Sequence, residues 1–243
     1  MVEAIPPRVV TAARFDQLLA DSVAAHGHLC PGQVVGVRMA LVGLRLLNFA
    51  VPPTLPELKR LIIFVEMDRC TADAVAHVTG VKLGRRSLKF MDYGIMAATF
   101  VDLQTQQAYR IISTEESRDL AQAFCPGESS RVQQQIQAYK IMPDAIMFRV
   151  QEVTVDLTPF DLPGPTRRRV TCRRCGQVVR DHREVVHNGE VLCRPCAGGA
   201  YFAQPREIAF PGMDWAPAAG RERPDKAAPP QPLIPDLKMG KLL

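Results

Sequence analysis

Along residues 13–25 the apolar positions Phe15, Leu18, Leu19 and Val23 recur three to four residues apart, which predicts an amphipathic helix. Gly27 weakens that helix and Pro31 follows, so the chain is expected to turn at His26-Gly27-His28. A second helix is expected from Pro31 or Gly32 to about Asn48, because proline is tolerated where its missing N–H would be unpaired. Leu61–Met67 is a short apolar run with β-branched residues and reads as a buried strand. Thr71 can cap a helix through Thr79, which Gly80 can end. Strands are expected at 87–93, 96–102 and 108–112, joined by turns at Gly94 and 104–107. Helices near 114–124 and 129–140 follow, then a strand at 145–156.

This order predicts a mixed α+β domain over residues 1–157, with an antiparallel-rich sheet and flanking helices. It is long enough to bury its own core. Residues 158–169, within the proline-rich run LTPFDLPGPTRRR, read as a linker. A small cysteine module occupies 170–200. The remainder, 201–243, is rich in proline without clear periodicity and is expected as a disordered or wrapped tail.

The chain has 243 residues, 47% hydrophobic and 23% charged, close to the globular average, which excludes wholesale disorder. The longest apolar stretch, around Gly36–Leu47, is broken by Arg38 and Arg45, far from the ~20 uncharged residues of a membrane span. The first residues lack the pattern of a secretory signal. A soluble cytoplasmic protein without a membrane partner is expected. The net charge is +5, and residues 166–200 carry eight arginines against Asp181, Glu184 and Glu190. The basic excess therefore belongs to the cysteine module. Such a surface suits nucleic acid, an anionic ligand or an acidic partner. No aromatic set interleaves with these arginines, so nucleic acid is not the expected partner.

Four of the seven cysteines form Cys172-x2-Cys175 and Cys193-x2-Cys196, separated by 17 residues. Zinc takes four soft ligands in a tetrahedron, and each knuckle supplies two thiolates. With all four ligands cysteine, no coordination position remains open, so a structural zinc ribbon is expected. Its intervening sequence reads as a hairpin, with Val178–Val179 and Val185–Val186 on two strands and a turn at Asn188-Gly189. So short a module has little core, and the metal would supply much of its folding free energy. His182 and His187 are expected at its surface, outside the ligand set.

A second constellation lies at His26-Gly27-His28-Leu29-Cys30-Pro31-Gly32, two imidazoles and a thiol directly before a helix. A helix N-terminus favours the thiolate, and thiolate plus neutral imidazole suits Zn, Fe, Ni or Cu. Cys70, within Glu66-Met67-Asp68-Arg69-Cys70-Thr71-Ala72-Asp73-Ala74, ends a strand and precedes another helix. If the two helix starts face each other, Cys30 and Cys70 share a cleft with His26 and His28. Asp73 falls in the first helical turn, where the dipole stabilises a carboxylate. Cys125 is expected to be structural, and His77 a packing or surface residue.

These two segments, together with Thr79-Gly80, Gly84, Leu88 and Asp92-Tyr93-Gly94, resemble the E-subunit family of formylmethanofuran dehydrogenase. The resemblance covers about residues 13–200. It implies an α+β domain, a homodimer, a His/Cys cleft as the metal or active site, and a link to molybdenum or tungsten enzymes of one-carbon metabolism. The sequence departs from the family pattern at Val81, where many members carry a cysteine. It departs again at Gly84-Arg85-Arg86-Ser87, in place of a lysine-containing glycine loop.

The leading expectation is a metal or metal-cofactor site in this cleft, beside the ribbon zinc. His28 and Cys30 are the expected primary ligands, with Cys70 a third and His26 a ligand or proton carrier. Asp73 would orient an imidazole. Were the site catalytic, His26, Cys30, Cys70 and Asp73 would carry it, with Arg69, Arg85 and Arg86 holding an anionic substrate or cofactor. The alternative is a non-catalytic accessory role, delivering a cofactor or binding a larger molybdenum or tungsten enzyme through the ribbon. Thiol redox chemistry and nucleic-acid regulation stand behind both.

Overall fold

Local capping chemistry sets most element boundaries. The structure, a computed structural model, describes residues 10–128 and 130–206. Helix α1 (Ala12–His26) opens at Thr11, whose hydroxyl accepts the Arg14 amide, and closes at Gly27 with φ +99°. Helix α2 (Pro31–Leu46) starts on Pro31. Helix α3 (Leu55–Arg60) is too short to show periodicity, but Thr54 and Glu57 form a reciprocal capping box that marks its start. Strand β1 (Leu61–Val65) and helix α4 (Cys70–Thr79) follow. Helix α4 begins one residue before the expected Thr71 cap and has no side-chain cap, because the Thr71 hydroxyl donates to α2 instead. Next come a 3₁₀ turn at Leu83–Arg85 and strand β2 (Leu88–Phe90). Strands β3 (Ala97–Asp102) and β4 (Ala108–Ser113), helices α5 (Glu115–Phe124), α6 (Arg131–Ile141) and α7 (Asp144–Met147), and strand β5 (Phe148–Glu152) complete the domain.

The strands form one five-stranded sheet in the order β2-β1-β3-β4-β5. Only β1 and β2 pair in parallel, connected through α4. The remaining pairs are antiparallel. This is the expected mixed α+β class. Helix α2 supplies much of the core on one face, where Val34, Val37, Met39, Ala40 and Leu44 are fully buried with Phe100 and Ile111. On a second face Ile62, Val101 and Ala108 pack under Val153, Val155, Leu157 and Leu162. Residues 153–162 are therefore a strap over the sheet, which is why the expected strand at 145–156 narrows to β5. Its first residues instead coil as α7. Arg38, nearly buried on α2, donates to the Tyr139 and Met142 carbonyls and to Asp144, so the chain curls around its guanidinium.

The cysteine module contains β6 (Arg169–Thr171) paired with β7 (Val178–Arg180), and β8 (Val185–His187) paired with β9 (Glu190–Leu192). The expected pairing between the valine strands at 178–179 and 185–186 is not the one formed. Each pairs instead across its own tight turn, at the first cysteine knuckle and at Asn188-Gly189. Both turn residues at Asn188-Gly189 have positive φ, +50° and +78°, as a two-residue hairpin loop requires.

Asp181 fastens the module to the α+β domain. Its carboxylate accepts the Arg167 and Arg168 amides at 2.8 and 3.2 Å and pairs with Arg86 at 2.9 Å. Arg183 adds an ion pair to Asp161 at 3.3 Å, and Lys89 donates to the Asp161 carbonyl at 2.6 Å. Residues 200–243 form a separate unit; in its described part the Tyr201 and Phe202 rings meet edge to face. The expectation for the tail from residue 207 onward lies outside the described residues.

Candidate metal centres

Glycines on α2 let α4 approach closely. A β-carbon at Gly36 would stand 2.6 Å from the Ala74 Cβ and the Thr71 carbonyl, and one at Gly32 would stand 3.0 Å from the Cys70 Cβ. Two reciprocal hydrogen bonds stitch the helix starts together. Gln33 Nε2 donates to the Cys70 carbonyl at 2.8 Å, and Thr71 Oγ1 donates to the Gly32 carbonyl at 3.1 Å. Gln33 is fully buried, and its Oε1 accepts the Ser22 hydroxyl of α1 at 2.6 Å. Each polar group in this apolar seam therefore has a partner, as burial demands. The result places Cys30, the residue capping α2, beside Cys70, the first residue of α4.

His26 completes the group. One donor atom from each of His26, Cys30 and Cys70 lies within 4.8 Å of the others. His26 Nδ1 sits 3.0 Å from Asp73 Oδ2. With the proton on Nδ1, this contact leaves a lone pair on Nε2, which is buried with no hydrogen-bond partner among the described residues. A buried imidazole nitrogen left unpaired beside two thiols is a donor set that fits a soft divalent ion. The His28 ring lies 4.8 Å from that of His26 and is exposed; it is not in the donor group. Of the two histidines, the structure brings His26 to the thiols.

The expected thiolate preference does not hold for Cys70. Burial pushes its thiol up from the ordinary value, and the neighbouring Cys30 sulfur adds to the rise. Burial and a second sulfur outweigh the helix start here, and a bound cation would reverse the balance.

A cavity of about 500 Å³ opens beside His26 and Asp73, lined also by His77, Lys82, Val81 and Leu88. None of the three expected anion-binding arginines lines it. Arg69 is exposed and 3.9 Å from Asp68. Arg85 lines a different cavity with Leu55, Leu58 and Lys59. Arg86 is held by Asp181. The polar groups at the cleft cavity are His77 and Lys82, and neither spacing nor periodicity in the sequence singled them out. Glu66, at the head of the second motif, makes a bidentate pair with Arg110, both contacts 2.7 Å.

In the ribbon the sulfurs of Cys172, Cys175, Cys193 and Cys196 all lie within 4.8 Å of one another, so this group too could hold a metal ion. The Cys193 and Cys175 amides point at Cys172 and lower its thiol to about 6. Cys196, hydrogen-bonded to Cys193 and crowded by the other thiols, is raised to about 12. Four thiolates so close repel one another, and a cation removes that conflict.

A mixed α+β domain with a His/Cys donor cleft, followed by a four-cysteine module, defines the class of this protein. The family model described as "FmdE, Molybdenum formylmethanofuran dehydrogenase operon" matches residues 25–154, more than half of the chain, and the chain belongs to this family. The fold is similar to the crystal structure of an FmdE-like protein of tungsten formylmethanofuran dehydrogenase type from Syntrophus aciditrophicus. The TM-score is 0.51 at 22% identity, covering 77% of this chain and 94% of that one. A curated relative, a "Probable S-adenosyl-L-methionine-binding protein" from Archaeoglobus fulgidus, is 24% identical over 212 residues. The alignment covers 81% of this chain and 57% of that protein, so the chain spans little more than half of that relative's length.

Proposed function

We propose that the N-terminal cleft binds one soft divalent metal through His26 Nε2, Cys30 Sγ and Cys70 Sγ, and that the ribbon holds a structural zinc on its four cysteines. The observation that carries this reading is the buried, unpartnered His26 Nε2 beside two thiols, with Nδ1 held by Asp73. Three protein ligands leave a fourth position open, where a bound metal supplies Lewis-acid polarisation of water or a small ligand. Asp73 keeps the proton on Nδ1 and aims the ring. His28, exposed and tilted against His26, exchanges protons with solvent. His77 and Lys82 orient a small anionic or polar ligand in the adjoining cavity. Family membership supports a role in molybdenum- or tungsten-linked one-carbon redox metabolism in the cytoplasm, acting as a homodimer.

The test is metal content per chain, on protein purified without a histidine tag. Two metals are expected in the wild type. Cys30→Ser/Cys70→Ser should lose one and keep the ribbon zinc, while Cys172→Ser/Cys175→Ser should lose zinc and keep the cleft metal. Unchanged metal content in the first variant would sink the cleft reading. The accessory role would then stand, with the cleft serving as a thiol or partner site.

A further inference from the structure

We propose that the outer face of the β6–β7 hairpin binds the phosphate backbone of nucleic acid through Arg169 and Arg180, with Arg167 beside them. The register sets Arg169 directly opposite Arg180 in a two-stranded antiparallel ladder. Like charges in that position repel at a Cβ separation of about 4.5–5.5 Å. Both side chains are exposed, and among the described residues neither guanidinium has an ion-pair or hydrogen-bond partner. Nothing among the described residues of the ribbon relieves the repulsion.

The reason lies in how the module's charges are partitioned. Asp181 is buried on the Arg86 guanidinium and the Arg167 and Arg168 amides. The Glu184 side chain, 5% exposed, pairs with Arg168, and Arg183 pairs with Asp161. These acids are spent on the attachment to the domain. Arg173, Arg174 and Arg194 flank the knuckle cysteines, where they offset thiolate charge. That leaves Arg167, Arg169 and Arg180 uncompensated. Strand alternation puts Val170 and Val179 on the other face, where Val179 packs on the Cys172, Leu192 and Cys193 cluster. The arginine pair shares the outer face with the Thr171 hydroxyl.

All eight cationic side chains of residues 166–200 are arginine and none is lysine. A guanidinium presents a planar fork that matches phosphate oxygens. The face has no aromatic ring to stack a base, so the contact reads backbone charge and not sequence. The lack of stacking rings, which argued against nucleic acid in general, excludes only base-stacking recognition. The inference is independent of the cleft metal.

Fluorescence anisotropy of the full chain with labelled duplexes of about 20 base pairs, at several salt concentrations, tests it. Binding should be independent of sequence, with a log–log salt slope of about −2 to −3, as two or three phosphate contacts require. Arg169→Ala/Arg180→Ala should bind at least tenfold more weakly and lose about two units of slope. Arg169→Lys/Arg180→Lys should retain most of the slope. Arg149→Ala, an exposed change on β5, should bind as wild type. Zinc content reports that the ribbon remains folded. No binding at about 50 mM salt, or an unchanged alanine variant, would overturn the proposal. Displacement of duplex by polyglutamate at equal charge concentration would also overturn it, in favour of an acidic protein partner.

Discussion

Asp73 contacts His26 Nδ1 from a carboxylate that is 69% exposed, whereas the His26 side chain is 13% exposed. An ion pair that open to water contributes about 0–1 kcal/mol, so stability does not explain it. Orientation does: the contact selects which imidazole nitrogen faces the thiols. Asp73→Asn should leave the thermal midpoint nearly unchanged and weaken cleft metal binding about 10–100-fold in a chelator competition. A large fall in the midpoint with unaltered metal affinity would assign Asp73 a structural role. His28, two residues beyond His26, is exposed, and His28→Ala should change metal affinity much less than His26→Ala.

The cleft is made by two helices. The close approach of α2 to α4 depends on Gly36, where a β-carbon would run into the Thr71 backbone and the Ala74 Cβ. Overpacking a rigid seam costs about 1–3 kcal/mol. Gly36→Ala should therefore lower unfolding stability by that amount in urea titrations, and it should weaken cleft metal binding by shifting Cys70 from Cys30. Gly84→Ala is the control, since a β-carbon there meets nothing within 4 Å. Equal stability of the two variants would mean that α4 relaxes freely, and the site would then owe its geometry to the Gln33 and Thr71 hydrogen bonds. Helix ends were legible at Gly27, Pro31 and Gly80, because these residues act on their immediate neighbours. The pairing of β7 with β6 was not legible, because two alternative hairpins of equal pattern differ only in which turn closes.

At the scale of the whole molecule, three carboxylates hold the ribbon in place. Burial alone would raise the Asp181 and Asp161 carboxyls. The Arg167 and Arg168 amides with Arg86 outweigh it at Asp181, and the Thr158 hydroxyl and amide with Arg183 outweigh it at Asp161. Backbone hydrogen bonding and Arg168 hold Glu184 down as well. A depressed folded value means that the stabilisation is fully present above the ordinary carboxylate range. It is lost as pH falls through the folded value. Hydrogen-exchange protection of the Arg167 and Arg168 amides should thus persist from neutral pH down to about 4 and collapse below it. Loss of protection already above pH 5 would show that Asp181 does not carry the contact. By itself the sequence determined the α+β class, the two cysteine knuckles and the grouping of His26, Cys30, Cys70 and Asp73. Each rests on spacing along the chain or on residues that act within one turn. Only the tertiary structure decided that His26 and not His28 meets the thiols. It also decided that Arg86 serves the ribbon clamp and not the cleft, and that Arg169 and Arg180 stand opposed without counter-charge. Those outcomes depend on which distant segments pack together, and packing across elements is set by close approach and buried polar pairing that no local pattern encodes.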